Sequence, residues 1–267
     1  MEKFPHTYRM DLAFNGSNYS GWQRQTDGTL SVQQVVEDSL RRITGEENLH
    51  VCACSRTDRK VHALCMSSSF HTEQVLDPER VSFCMKKQLP HDIRLERLEK
   101  APPGFNAHTC ALGKSYVYAV NTGYYNLFLR QGCWSWHDVQ SVEILKELLP
   151  LLEGTRDFRS FTGVDLSKEN PFRTLYRAEM FSFGPVICFY FAGDGFFYKM
   201  VRRLVGAMYE VASGKRSADS FKAMLDTPSR PPDDILVAPP EGLYLKKAFY
   251  EAGQWQHDSV EQPPFFF

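Results

Sequence analysis

The sequence predicts an α+β fold of two ferredoxin-like halves, each ordered β-α-β-β-α-β, with mixed, mainly antiparallel sheets flanked by helices. Three observations carry that prediction. Apolar Tyr8, Met10, Leu12 and Phe14 alternate with Arg9, Asp11 and Ala13, the period of two that marks a half-buried strand. A capped amphipathic helix follows from Ser31. Finally, Ala101-Pro102-Pro103-Gly104 interrupts the chain, a cluster where strands and helices both stop, and the order of elements then resumes.

Taken in order, Asn15-Gly16-Ser17 is a turn. Ser31 caps a helix whose Val32, Val35, Val36, Leu40 and Ile43 fall on one face, and Gly45 ends it. Apolar runs at His50–Cys54 and Cys65–Phe70 read as strands on either side of a polar turn. A helix over Pro78–Leu89 and a strand over Ile93–Leu98 complete the first half.

In the second half, Lys114–Asn121 reads as a strand with Tyr116, Tyr118 and Val120 on one face. The spacing predicts a helix over Val139–Glu153, capped by Asp138 and stopped by Gly154. Thr174–Phe183 and Val186–Ala192 form a hairpin through Gly184-Pro185. A helix over Phe196–Ser213 ends at Gly214, a short helix starts at Ser217, and Leu243–Phe249 is a last strand. The expected divisions are residues 1–104, residues 105–253 and a tail, 254–267, that ends in Pro263-Pro264 and three phenylalanines and has no assigned role.

Composition bounds the function. Of 267 residues, 43% are apolar and 24% charged, which suits a globular chain that buries a real core. The net charge of -1 offers no global field for a polyanion and counts mildly against nucleic acid, although a local basic groove is compatible with it. The N-terminal MEKFPHTYRMDLAF has no apolar leader, and no run approaches the ~20 residues that span a membrane. The seven cysteines show no CxxC pair, so reduced thiols in the cytoplasm are expected, with no zinc or other metal site. Motifs for metalloproteases, P-loops, dinucleotide binding and nucleophile elbows are missing.

Chemistry centres on Asp58, in Ser55-Arg56-Thr57-Asp58, with Arg59 and Lys60 after it. A lone aspartate at a strand end is as a rule a turn residue bonded to its own backbone, so Asp58 needs support from elsewhere. The support is a resemblance. Ser55-Arg56-Thr57-Asp58 followed by Val61-His62-Ala63 is similar to the active-site motif of the TruA family of tRNA pseudouridine synthases. Asn15-Gly16-Ser17 with Gly21-Trp22-Gln23-Arg24-Gln25, Ser31-Val32-Gln33, and Lys114-Ser115-Tyr116-Val117-Tyr118 resemble further family segments. Asp157-Phe158 with Ser160-Phe161, Tyr198 to Arg202, and Glu241 to Leu245 complete the family's order. The departure is local: Arg59 and Lys60 stand where the family carries Ala-Gly.

The resemblance implies two halves around a central active-site cleft and isomerisation of uridine to pseudouridine in the tRNA anticodon stem-loop. It implies no metal or organic cofactor, and a homodimer whose partner is tRNA rather than DNA or a membrane. It makes Asp58 catalytic, an ionised carboxylate that adds to the base or traps the sugar cation. Arg202 would pair with it and Tyr116 would lie against the target uracil. Arg56 would contact the RNA backbone or fill the space a flipped nucleotide leaves. Phe105, Asn106 and His108 take the place of a tRNA-contacting stretch, with Asn106 and His108 where His and Arg are usual. Lys114, Lys199, Arg203, Arg59 and Lys60 are phosphate-contact candidates, although each alone reads equally as a solvated charge. If Lys60 takes positive φ, about 1 kcal/mol or more of strain follows. Two rival readings stand beside this one: an RNA-binding or tRNA-folding module that has lost catalysis, and a related synthase acting on another RNA.

Overall fold

The alternation at the N-terminus forms β1 (His6–Phe14). In order there follow α1 (Val32–Thr44), β2 (Val51–Ala53), β3 (His62–Thr72), α2 (Pro78–Gln88), β4 (Ile93–Lys100), β5 (Gly113–Asn121) and β6 (Trp134–Ser135). Then come α3 (Leu145–Leu148), β7 (Gly154–Asp157), β8 (Phe172–Phe183), β9 (Val186–Gly193), α4 (Met200–Ala212), α5 (Ala218–Asp226) and β10 (Leu243–Phe249). The structure, a computed structural model, describes residues 6–166, 170–229 and 235–266. The fold is mixed α+β. Phe267 lies outside the described residues.

The chain separates into two units, Met1–Leu112 with Leu245–Tyr250, and Gly113–Tyr244 with Glu251–Phe267. In the first, the strands run β4-β1-β3 with β10 beside β3 and short β2 also paired to β3. β1 is antiparallel to both neighbours, and Tyr8, Met10 and Leu12 sit opposite Phe70, Ser68 and Met66. Those apolar side chains, with Val32, Val36 and Leu40 of α1 and Val81 and Met85 of α2, are buried. Each such side chain contributes about 1.5–3 kcal/mol by leaving water. The helix ends follow the sequence: Ser31 Oγ accepts from the Gln34 N–H (3.3 Å), and Gly45 takes the left-handed C-terminal position.

In the second unit the order is β5-β9-β8-β7, antiparallel throughout, with β6 parallel to the end of β5. The hairpin through Gly184-Pro185 forms as expected, with Phe183 opposite Val186. Two helices depart from expectation. Residues 139–144 are not helical: the N–H groups of Gln140 and Ser141 donate to the Ala212 carbonyl (2.8 and 3.2 Å). Asp138, expected to cap that helix, instead accepts from Tyr209 Oη and Lys215 Nζ. Helix begins only at Leu145 and tightens to 3-10 geometry through Pro150, because proline has no N–H for the α-helical ladder. α4 starts at Met200 rather than Phe196, since Lys199 is left-handed at φ 60. With β6 and β7 added, the second unit does not repeat the order of the first.

The segment after β10, to which the sequence assigns no role, fastens onto the strands of the second unit. Buried Asp258 accepts from Ser115 Oγ (2.7 Å, β5) and Tyr190 Oη (2.9 Å, β9). Arg177 Nη1 donates to the carbonyls of Trp255 and Asp258, and the Trp255 ring stacks on Tyr176 at 4.1 Å. Burial and the Asp258 charge hold the Tyr190 phenol well above its ordinary pKa. Removing the carboxylate orphans two buried hydroxyls, and each costs about 1–3 kcal/mol. Asp258→Ala is therefore expected to lower folding free energy by at least about 2 kcal/mol in urea denaturation. A variant as stable as the parent would show that these hydroxyls find other partners.

Candidate active site

Asp58 lies on the loop from Ser55 to Val61 that joins β2 to β3. α1 fixes where that loop begins. Gln33 Nε2 donates to the Val51 carbonyl (3.1 Å), and the Val51 N–H donates to Glu37 Oε1 (3.1 Å). These two bonds satisfy both backbone groups of Val51, at the start of β2. At the far end the Val61 N–H closes onto the Asp58 carbonyl at 3.1 Å, making a β-turn of Asp58, Arg59, Lys60 and Val61. Lys60 occupies the third position at φ 65, where a type II turn normally places glycine. The positive φ considered from the sequence is thus adopted.

The loop holds this shape because a second segment, residues 15–22, lies against it backbone to backbone. The Trp22 N–H donates to the Thr57 carbonyl (3.2 Å), the Lys60 N–H donates to the Tyr19 carbonyl (3.2 Å), and the Gly16 N–H donates to His62 Nδ1 (3.1 Å). His62 Nδ1 accepts, so its proton sits on Nε2. A Cβ on Gly16 would lie 2.0 Å from the Val61 carbonyl oxygen, and one on Gly21 would lie 2.4 Å from that of Thr57. Gly21 also has φ 92. No other residue fits at either position without moving the loop.

Around the loop, Asp58 is half-buried, Arg56 and Arg59 are exposed, and Lys60 is half-buried. His108 reaches the strand end before Asp58, its Nδ1–H donating to the Cys54 carbonyl (3.1 Å). Asn106 Oδ1 accepts from the N–H groups of His108 and Thr109 (2.9 and 3.1 Å). The same oxygen also accepts from Cys52 Sγ (3.5 Å), so the Asn106 carbonyl is committed to holding its turn and β2. Phe105 packs on Tyr250, ring centroids 5.4 Å apart, and Tyr250 Oη donates to the Ala107 carbonyl (2.8 Å).

The second unit carries the remaining candidates. Tyr116 is buried on β5, edge-on to Phe196 with centroids 5.0 Å apart. Lys114, at the start of the same strand, is half-buried. Arg202 lies in the first turn of α4, where its Nε–H donates to the Ala238 carbonyl (2.8 Å) and its own carbonyl accepts from the Ala238 N–H (3.1 Å). The reciprocal pair fixes the plane of the guanidinium, whose other N–H donors sit on the terminal nitrogens. Tyr118 lies beside this group and donates to the Pro239 carbonyl (2.7 Å). Burial raises its phenol pKa, and the Arg202 charge opposes that rise. Lys199, left-handed just before α4, places its ammonium over the Tyr198 ring at 4.8 Å.

Sequence reasoning did not single out Glu37, and it met Gly16, Gly21, Gln33 and His62 only within family-like segments, with no sign that their work is to hold the loop. The turn residues were visible, but their partner, some 40 residues away, leaves no local pattern.

Residues 12–108 and 149–251 match the family model described as tRNA pseudouridine synthase. A tRNA pseudouridine synthase A 1 of Protochlamydia amoebophila is 35% identical over 250 residues, 92% of this chain and 97% of that protein. Its counterpart named tRNA pseudouridine synthase A in Geobacillus kaustophilus is 36% identical over 251 residues, 94% of this chain and 96% of the relative. That of Clostridium acetobutylicum is 32% identical over 243 residues, covering 91% and 98%. The matched segments include the Asp58 loop and Arg202, whereas Lys114 and Tyr116 fall between them.

The two sides of the loop contact respond oppositely to a Cβ. Gly21→Ala is expected to cost about 1–3 kcal/mol of stability, while Lys60→Gly stays within about 1 kcal/mol of the parent because strain relief offsets backbone freedom. Urea denaturation of both variants checks this. A Gly21→Ala protein as stable as the parent would mean that the loop is not held by this contact.

Proposed function

The chain belongs to the tRNA pseudouridine synthase family, and from that membership we propose that Asp58 is the ionised carboxylate that drives conversion of uridine to pseudouridine in tRNA. The enzyme is an isomerase: the N1–C1′ bond of the nucleotide breaks, a C5–C1′ bond forms, C5 loses its proton and N1 is protonated. A carboxylate serves either of two routes, adding to the base or trapping the sugar cation after cleavage, and both need Asp58 charged. The observation that carries this reading is the Asp58 loop, whose turn is imposed by a backbone contact rather than by its own residues. A reacting group gains most from being held in one geometry.

Arg202 is proposed as the partner that aims Asp58. Its Nε–H is already used on Ala238, which pre-orients the fork that a two-pronged carboxylate contact requires. Tyr116 offers a ring face to the flipped uracil and a hydroxyl for proton transfer. Arg56, Arg59, Lys60, His108, Lys114 and Lys199 supply donors for the RNA backbone, with Phe105 and the Asn106 amide beside them. The target is a uridine of the anticodon stem-loop, and the enzyme is a homodimer.

Asp58→Asn is expected to abolish tritium release from tRNA labelled at C5 of uridine while tRNA affinity stays within a few-fold of the parent. Turnover at the parental rate would remove Asp58 from the reaction. The loop cations are tested separately. Because the Lys60 conformation is the one a glycine would adopt there, Arg59→Ala with Lys60→Gly is expected to weaken tRNA binding and leave the single-turnover rate nearly unchanged. A double variant that reacts faster than a sluggish parent would show that Arg59 and Lys60 displace Asp58.

A further inference from the structure

We propose that Asp92 is a positioning residue for the reaction, the anchor of the segment that shapes the Asp58 loop. This rests on the proposed role of Asp58. Asp92 stands in the turn before β4, where the Ile93 N–H closes onto the Pro90 carbonyl at 3.0 Å. Three of its oxygens face the 15–19 turn. Oδ1 accepts from Tyr19 Oη (2.6 Å), Oδ2 accepts from Asn18 Nδ2 (2.9 Å), and the main-chain oxygen accepts from the Asn15 N–H (2.9 Å).

The same short segment is the one that meets the loop. Gly16 reaches His62, the Tyr19 carbonyl receives the Lys60 N–H, and Trp22 reaches Thr57. Tyr19 thus stands at both ends of the relay, with its ring hydroxyl on Asp92 and its carbonyl on the turn residue two places after Asp58. The Tyr19 side chain is buried, and a buried phenol needs an acceptor. Burial first, and then the hydrogen bond and charge of Asp92, hold its pKa well above the ordinary value, so it remains a donor across the working pH range. Neither Asp92 nor Tyr19 belongs to the proposed substrate-contacting set, so their action runs through position alone.

A carboxylate matches this pair of donors, because an O–H and an amide N–H converge on its two oxygens. An asparagine offers one acceptor, so it faces Asn18 N–H to N–H or forces the Tyr19 hydroxyl to turn from donor to acceptor. The mismatch can be mended from the other side, because Asn18→Asp together with Asp92→Asn restores one donor for each acceptor at unchanged net charge.

The test is single-turnover tritium release with saturating tRNA, alongside tRNA affinity and thermal melting. The proteins are the parent, Asp92→Asn, Tyr19→Phe, the exchanged pair, and Asp58→Asn as reference. Asp92→Asn is expected to slow the chemical step by about 10- to 100-fold, the scale of a small misplacement of a reacting group, with tRNA affinity within about twofold of the parent. The exchanged pair should recover most of that rate. A parental rate for Asp92→Asn, or a loss the exchange does not mend, overturns the proposal. If Asp92→Asn does not fold, Tyr19→Phe decides: a slowed chemical step supports the relay and a parental rate sinks it. An active Asp58→Asn protein would instead show that the assignment of Asp58 had failed, a result distinct from any of these.

Discussion

The candidate site depends on one close approach, that of residues 15–22 to the loop carrying Asp58. Two glycines permit it, since a Cβ at either would sit within 2.4 Å of a carbonyl oxygen. Three hydrogen bonds then set the loop's path from outside it. The consequence is that conformation comes from the scaffold, so the loop's own residues need not favour it. This is why Lys60 is tolerated where glycine would be the local choice. The left-handed backbone costs Lys60 about 1–2 kcal/mol, a modest part of the 5–15 kcal/mol by which a domain is stable.

The second unit uses a related device. Among the described residues, Lys60 and Lys199 are the two non-glycine positions with positive φ. One follows Asp58 by two residues, and the other precedes Arg202 by three. Strained backbone persists where surroundings over-determine it and clusters at functional positions. At Lys199 the left-handed residue ends the approach from β9 and lets α4 begin one residue later, which puts Arg202 in the first turn against Ala238. Both proposed partners are thus delivered by backbone geometry that their own neighbours would not choose.

What was legible in the sequence follows from range. β1, α1, α2 and β10 were written in local terms, as a period of two, a Ser31 cap, a helical run from Pro78 and a short last strand, and each formed where those signals placed it. Residues 139–144 failed for the opposite reason. Leu145, Leu148, Leu149 and Leu152 are all buried, so the helical spacing was real, but it belongs to only half of the expected helix. The other half gives its N–H groups to the end of α4, a competitor that no local window contains. Asp58 was found only because its neighbours resemble a family motif; Gln33, Gly16 and Gly21 also fell in family-like segments, but nothing local in those segments tied them to the Asp58 loop.

Charge makes the same point about range. A net charge of -1 argued mildly against a nucleic-acid partner, yet the average conceals its distribution. Residues 56–60 carry three cations around Asp58, a net +2, and residues 199–203 carry Lys199, Arg202 and Arg203, a net +3. Together these ten residues hold +5 on a chain of -1, which leaves -6 on the rest. At physiological salt a charge is screened within about 8 Å, so an approaching phosphate responds to the few groups nearest it and hardly to the total. Counterion release likewise depends on phosphates contacted and not on overall charge. A nearly neutral protein can therefore bind RNA with a steep salt dependence, provided a few of its cations meet the phosphates.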